Sequence, residues 1–147
     1  MTATRRTRLF PMLAAFLLVA GMVGCKHDKV CDVPIGDATF QCDPNSPLNS
    51  GINNCDGYEY FTGGYNGVVV VRISYNEFAA YERTCPYDQE RLVMADGYGN
   101  IVLECPSCGS RFNTFGQGAP LEGSKTSCYL YQYGTYYDGH TLYVSNY

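Results

Sequence analysis

Short apolar and aromatic runs separated by glycine-rich turns follow one another from Tyr58 to the end of the chain. Tyr58–Phe61 and Gly67–Ile73 are rich in β-branched and aromatic residues, and the glycines between them supply the positive φ that a hairpin needs. The second run, GVVVVRI, has no polar alternation and therefore predicts a central strand buried on both faces. Further predicted strands are Val33–Phe40, Glu77–Tyr81, Arg91–Met94, Asn100–Glu104, Tyr129–Tyr133 and Thr141–Val144.

No segment keeps a helical period, so these strands predict an all-β fold, a small antiparallel β-sandwich or barrel. Its large core residues would be tyrosines, since the chain has 14 Tyr and no Trp. Residues 25–56 differ, because their prolines lie among Asp, Asn, Ser and Gly, which disfavour helix and repeated strand pairing. We interpret 25–56 as a tether that can contain a first strand. Residues 57–147 form the core of one domain, which can begin as early as residue 33.

The N-terminus has the pattern of a targeting segment. Three arginines at positions 5, 6 and 8 precede an apolar run over residues 9–23, which is short for a membrane span. The run ends in Met-Val-Gly-Cys and resembles a bacterial lipoprotein signal, although Met22 departs from the usual leucine. The resemblance implies a signal peptide over 1–24 and a lipid on Cys25, which would anchor the protein to a cell-envelope membrane facing the periplasm or the cell surface. An ordinary cleaved signal or an uncleaved anchor is the alternative.

Charge limits the class of partner. Without residues 1–24 the chain has seven Lys and Arg against fourteen Asp and Glu, a net charge of −7. The seven cations are scattered and form no basic stripe, so a nucleic-acid partner is disfavoured. The expected partners are the membrane, through the lipid, and a redox protein.

The cysteine count is odd once Cys25 carries a lipid. Seven cysteines then remain, and outside the cytoplasm thiols tend to pair. If Cys85, Cys105 and Cys108 are metal ligands, the other four can form two disulfides, in any of three connectivities. These candidate disulfide residues are Cys31, Cys42, Cys55 and Cys128.

Two loops, TCPYD at 84–88 and ECPSCGSRFN at 104–113, carry the candidate chemistry. Together with EFAAYERTCPYD, GQGAPLEG and YYDGHTLYVSN, they occur in an order that resembles the Rieske-type [2Fe–2S] domain family from about Val33 to Ser145. In that family a Cys-x-His loop and a Cys-x-x-His loop bind the two irons. The resemblance implies a Rieske-like all-β fold, with Cys85 and Cys105 at the two cysteine positions.

Both histidine positions of the family are substituted, by Tyr87 and Cys108. One interpretation is a modified 2Fe–2S cluster with three thiolates and Tyr87 or an outside group as fourth ligand. Anionic ligands in place of imidazole would lower its potential by hundreds of millivolts. A structural zinc ion is the second interpretation, since Cys-Pro-x-Cys-Gly is a common zinc knuckle. The third is no metal, with Cys85 in a disulfide to Cys105 or Cys108.

Other polar residues give weaker signals. Asp88, Glu90 and Glu104 near the loops suggest solvated charge rather than an acid–base pair. His27 and His140 are expected in solvated loops, although His140 would complete a metal site if the last hairpin folded back.

The first functional hypothesis is therefore a lipid-anchored Rieske-like electron carrier of the cell envelope. The second is a cluster-less structural or binding lipoprotein of the same fold, whose loop cysteines form a disulfide or hold zinc. A complete oxygenase is disfavoured, because the chain has too few residues and histidines for a second, mononuclear-iron domain.

Overall fold

A computed structural model describes residues 31–147. The predicted signal peptide, Cys25 and His27 lie outside the described residues. Ten strands and two short 3₁₀ segments make up this part of the chain. The strands are β1 Phe40–Cys42, β2 Tyr58–Phe61, β3 Val68–Ser74, β4 Glu77–Glu82, β5 Val93–Met94, β6 Val102–Glu104, β7 Arg111–Asn113, β8 Ala119–Pro120, β9 Gln132–Tyr137 and β10 Leu142–Ser145. The 3₁₀ segments are Pro47–Ile52 and Thr114–Gly116.

The strands form two antiparallel sheets. The larger sheet has six strands in the order β1-β10-β9-β4-β3-β2, and the smaller has four in the order β5-β6-β7-β8. The all-β prediction is confirmed. No helix among residues 31–147 is long and apolar enough to cross a membrane.

Strand β3 divides the core in two. Val69 and Val71 face one cluster, which also contains residues of the small sheet, and Val68 and Val70 face the other. All four valines are fully buried, as the unbroken apolar run predicts. At about 25 cal/mol for each Å² of apolar surface, burying each one stabilises the fold by about 1.5 kcal/mol or more.

The first cluster holds the two sheets together. Leu92, Leu103 and Phe112 approach from the small sheet and its flanking segments, opposite Tyr81 of β4. The Tyr81 hydroxyl donates to the carbonyl of Thr114 at 2.6 Å, and burial raises the pKa of Tyr81 to about 12. Among residues 31–147, no side-chain oxygen or nitrogen of this cluster is fully buried without a hydrogen-bond partner, so the loops that leave it start from well-packed positions.

Residues before Tyr58 belong in part to the folded body. Strand β1 pairs with β10 at the edge of the large sheet, and Ala38 and Ile52 lie buried in the second cluster. A disulfide joins Cys31 to Cys128, across 97 positions of sequence. The structure therefore has one of the two predicted disulfides. Cys42, half-buried, and Cys55, exposed, carry free thiols.

Candidate metal centre

The two cysteine loops leave the first core cluster side by side. Cys85 follows β4 and Cys105 follows β6, and both are fully buried in that cluster. Cys108 lies half-buried on the second loop and packs against the same cluster. Of the four ligand positions predicted from sequence, the structure thus brings three cysteines together.

Each loop is closed by the same two backbone hydrogen bonds. In the first, Gln89 N donates to Cys85 O at 2.9 Å, and Cys85 N donates to Glu90 O at 2.9 Å. In the second, Gly109 N donates to Cys105 O at 2.9 Å, and Cys105 N donates to Ser110 O at 2.8 Å. Counted from Cys85 and from Cys105, the fifth residue has a left-handed backbone in each case, with φ of 62° at Gln89 and 73° at Gly109.

Asp88 is the fourth member of this group of side chains. One oxygen or sulfur ligand atom from each of Cys85, Asp88, Cys105 and Cys108 lies within 4.8 Å of all the others. Cys85 Sγ lies 3.7 Å from Cys108 Sγ, and Cys105 Sγ lies 3.4 Å from both carboxylate oxygens of Asp88. The expectation that Asp88 is a solvated charge is therefore corrected, because its carboxylate is turned onto the thiols.

The Cys85–Cys108 and Cys105–Asp88 separations, two of the six among these donors, are close to the edges of a coordination tetrahedron. With metal–sulfur bonds of about 2.3 Å and metal–oxygen bonds of about 2.1 Å, neighbouring sulfurs lie about 3.8 Å apart, and a sulfur lies about 3.6 Å from an oxygen. They are too long for a disulfide, whose sulfurs are about 2.05 Å apart, and Cys85, Cys105 and Cys108 are all free thiols. The donor set can therefore hold a metal ion.

The electrostatics of the centre depend on its burial. Burial raises the pKa of the Cys85 thiol, while the backbone N–H groups of Asp88 and Tyr87 act in the opposite direction. Burial likewise raises the pKa of Cys105, against the N–H groups of Cys108 and Ser107. Without a metal, both thiols are held protonated. A cation would displace these protons, because the thiolate is the form that binds metal.

Asp88 behaves in the opposite way to the thiols. Burial acts to raise its pKa, but hydrogen bonds from the Cys85, Cys105 and Cys108 thiols and from Glu90 N hold the pKa below its usual range. The carboxylate is therefore ionised, with three sulfur groups around it. One ionised oxygen ligand is already present before any proton leaves.

Neighbouring residues brace both loops. Asn66, in the turn between β2 and β3, donates from Nδ2 to Gln89 O at 2.9 Å and to Thr84 Oγ1 at 3.0 Å. On the second loop, the buried Ser110 hydroxyl accepts from Cys108 Sγ at 3.1 Å and from Lys125 N at 2.9 Å. These contacts limit how far the ligands can move apart.

The other sequence candidates lie elsewhere or act differently. Tyr87 contributes its backbone N–H to the Cys85 sulfur, and its side chain is 39% exposed. His140 lies exposed in the turn between β9 and β10 and is absent from the group of ligands within the described residues. Glu104 forms an ion pair with Arg111 at 2.9 Å on the surface.

Comparison with known proteins bears on the fold. No family model and no curated protein matches the chain. A similar solved structure is the ferredoxin of carbazole 1,9a-dioxygenase from Nocardioides aromaticivorans IC177, with 21% identity and a TM-score of 0.50. The match covers 79% of this chain and all of that one. The fold is Rieske-like. This Rieske-like fold confirms the architecture predicted from the order of the loops.

The group of four candidate ligands contains no histidine. A Rieske cluster needs two imidazoles on one iron, and the sequence resemblance puts Tyr87 and Cys108 at those two positions. The four donor atoms within 4.8 Å suit one ion better than two irons bridged by sulfides. The residues do not fit a two-histidine cluster, and the modified 2Fe–2S cluster stays a prediction.

Proposed function

We propose that the protein is a lipid-anchored metalloprotein of the cell envelope, in which Cys85, Asp88, Cys105 and Cys108 hold one tetrahedral metal ion. The observation that carries this proposal is the pair of ligand separations, 3.7 Å between sulfurs and 3.4 Å between sulfur and oxygen. Both lie within about 0.2 Å of tetrahedral edges built on standard zinc bond lengths.

Zinc is the ion that this donor set favours. Thiolates in a tetrahedral arrangement select Zn²⁺ or iron, and Zn²⁺ also accepts a carboxylate oxygen. Four protein ligands complete the tetrahedron and leave no open position for water, which is the arrangement of a structural rather than a hydrolytic zinc site. The ion would fasten the two loops to each other at the end of the first core cluster.

Iron in the same four ligands is the second candidate, and it makes the protein an electron carrier. Two observations favour it. Cys108 and Asp88 are only partly buried, so one side of the centre faces solvent, where a redox partner could approach. The fold is also similar to that of the ferredoxin of carbazole 1,9a-dioxygenase.

The proposed location in the cell envelope is supported by the N-terminal sequence and by the Cys31–Cys128 disulfide. The lipoprotein-like signal ends at Cys25, and the first described residue, Cys31, forms a disulfide with Cys128. Structural disulfides are typical of oxidising compartments. Mass spectrometry of the N-terminal peptide tests the anchor: we expect a lipid on Cys25, and an unmodified residue there would contradict that part of the proposal.

Elemental analysis with an absorption spectrum of the full-length protein, purified without oxygen, decides between the metals. One zinc per chain and no colour supports the structural centre. One iron per chain with thiolate-to-iron absorption supports the electron carrier. Two irons with two sulfides would replace both with the modified cluster. A metal-free protein with a Cys85–Cys108 disulfide would overturn the proposal and leave the cluster-less structural lipoprotein.

A further inference from the structure

Arg83 is a buried arginine that forms no ion pair with a carboxylate of residues 31–147. It follows β4, directly before the first cysteine loop, and only 9% of its surface is exposed. Within residues 31–147 the ion pair found is that of Arg111 with Glu104. Because an unpaired charge is costly to remove from water, the groups in contact with Arg83 must offset that cost.

Two contacts fix the Arg83 guanidinium in place. Its Nε donates to Leu92 O at 3.0 Å, and its Cζ lies 3.6 Å from the centroid of the Tyr60 ring, a cation–π contact. The Tyr60 hydroxyl is itself held, since it accepts from Met94 N at 2.8 Å. The guanidinium is therefore immobilised before any ligand arrives, which lowers the entropy cost of binding one.

The two terminal nitrogens of Arg83 have no acceptor among the described residues. They are not among the fully buried unpartnered atoms of that part of the chain, which are Asn53 Oδ1 and Arg72 Nε. Nη1 and Nη2 consequently remain accessible from outside, as free donors on a rigid plane.

The accessible end of Arg83 borders a cleft of about 450 Å³. Residues 60–67, the turn between β2 and β3 with its flanks, form one wall, and Arg91 lines the cleft beside Arg83. Arg83 Nη1 lies 3.6 Å from where a Cβ on Gly67 would stand, so the absence of a side chain there leaves it open to the cleft. Two guanidiniums thus share one cleft in a chain with excess negative charge.

Glu82 forms no ion pair with Arg83 or Arg91 among the described residues. Glu82 is the neighbouring carboxylate in the chain, but its oxygens accept from other donors. These are Tyr65 N, Asn66 N, Thr84 Oγ1 and Tyr133 Oη, at 2.7 to 3.0 Å. Its charge offsets that of Arg83 only through space, and the fork of Nη donors is left for another acceptor.

We propose that this cleft binds an oxyanion, the carboxylate or phosphate group of a small molecule, held by Arg83 and Arg91. The planar guanidinium fork matches the two oxygens of such a group and can bind them in parallel. The proposal goes beyond the metal centre and does not rest on it.

Calorimetric titration of the full-length protein at constant ionic strength tests the proposal, with acetate, succinate and inorganic phosphate as probes against chloride. We expect at least one probe to bind well above chloride. Arg91→Gln, which changes an exposed residue, weakens that binding about tenfold, and Arg83→Lys does so by at least as much, because the fork is lost. Binding by acetate and succinate identifies a carboxylate ligand, and binding by phosphate alone identifies a phosphate.

Arg111→Gln is the matched control, since it removes the same charge from an exposed residue of β7 that does not line the cleft. We expect it to bind the probe as the wild type does. The proposal is overturned if no probe exceeds chloride, or if Arg91→Gln and Arg111→Gln weaken binding equally.

Discussion

The two cysteine loops have the same backbone and differ in the residue that completes each pair of ligands. Both begin Cys-Pro, both close with the same two hydrogen bonds, and both turn through a left-handed fifth residue. At the fourth position, however, the first loop has Asp88 and the second Cys108. The fold therefore contains the same loop conformation twice. That conformation accommodates either an aspartate or a cysteine at the fourth position.

The largest effect is expected from the first cysteine of each loop. We predict that Cys85→Ser and Cys105→Ser each lower bound metal from about one ion per chain to less than about a tenth, since structural zinc sites depend on all their thiolates. Elemental analysis measures this directly. Cys55→Ser, which changes an exposed thiol away from the centre, should keep the full metal content. If one loop cysteine proves dispensable, the two loops are not equivalent.

Exchanging the fourth residues tests the comparison more closely. Asp88→Asn should weaken zinc binding about a hundredfold, because it removes an ionised ligand. Asp88→Cys should strengthen binding and, in the cobalt-substituted protein, raise the thiolate charge-transfer absorption by about a third, as three sulfur ligands become four. Glu90→Gln is the control, since that carboxylate lies outside the ligand group. Equal affinities for Asp88→Asn and Glu90→Gln would remove Asp88 from the site.

A smaller effect is expected from pH in the metal-free protein. Burial raises the pKa of Cys85 and of Cys105 above the unfolded value of about 8.5. The folded state therefore binds these protons more tightly, so their contribution to stability is complete below about pH 8.5 and is lost as the pH rises further. Urea denaturation at pH 7 and pH 10 measures it. The Cys85→Ala/Cys105→Ala double variant should show a smaller loss than the wild type, and an equal loss would contradict the assignment.

The smallest effects concern the fifth residues. Gly109→Ala should lower the free energy of unfolding by about 1 kcal/mol, because φ is 73° there and an added Cβ meets no atom within 4 Å, leaving backbone strain alone. Gln89→Gly should raise it by only about 0.3 kcal/mol, since the freedom of glycine in the unfolded chain offsets the relief of strain. Denaturant midpoints of the metal-free variants check both signs, and a stabilising Gly109→Ala would show that the loops relax differently.

Much of the fold could be predicted, because the local residue pattern of several strands is itself typical of a strand. The apolar run of β3 and the aromatic run of β2 lie where the sequence places them. Strand β9 begins later than predicted, at Gln132, because the segment before it is held irregularly by the Cys128 disulfide and by Leu130 N donating to Gly118 O. Strand β8 has two residues and pairs with β7 alone, so no local sequence pattern predicts it.

The proximity of the three cysteines was predicted from the sequence, but that of Asp88 was not. Cys85, Cys105 and Cys108 followed from spacing and from the order of the loops. Asp88 was missed because an acidic residue in a turn is usually solvated, and its role depends on the second loop lying opposite. The available signal was the shared spacing, Cys-Pro-x-Asp against Cys-Pro-x-Cys.

The disulfide between Cys31 and Cys128 has a mechanical consequence. Strand β1 lies at the edge of the large sheet and is held there by three residue pairs with β10. A pull on the chain before residue 31 would otherwise load these pairs and peel β1 away. The disulfide instead transmits that force to Cys128, a buried residue 97 positions further along the chain. A force applied to the chain before residue 31 therefore need not separate the edge strand β1 from β10.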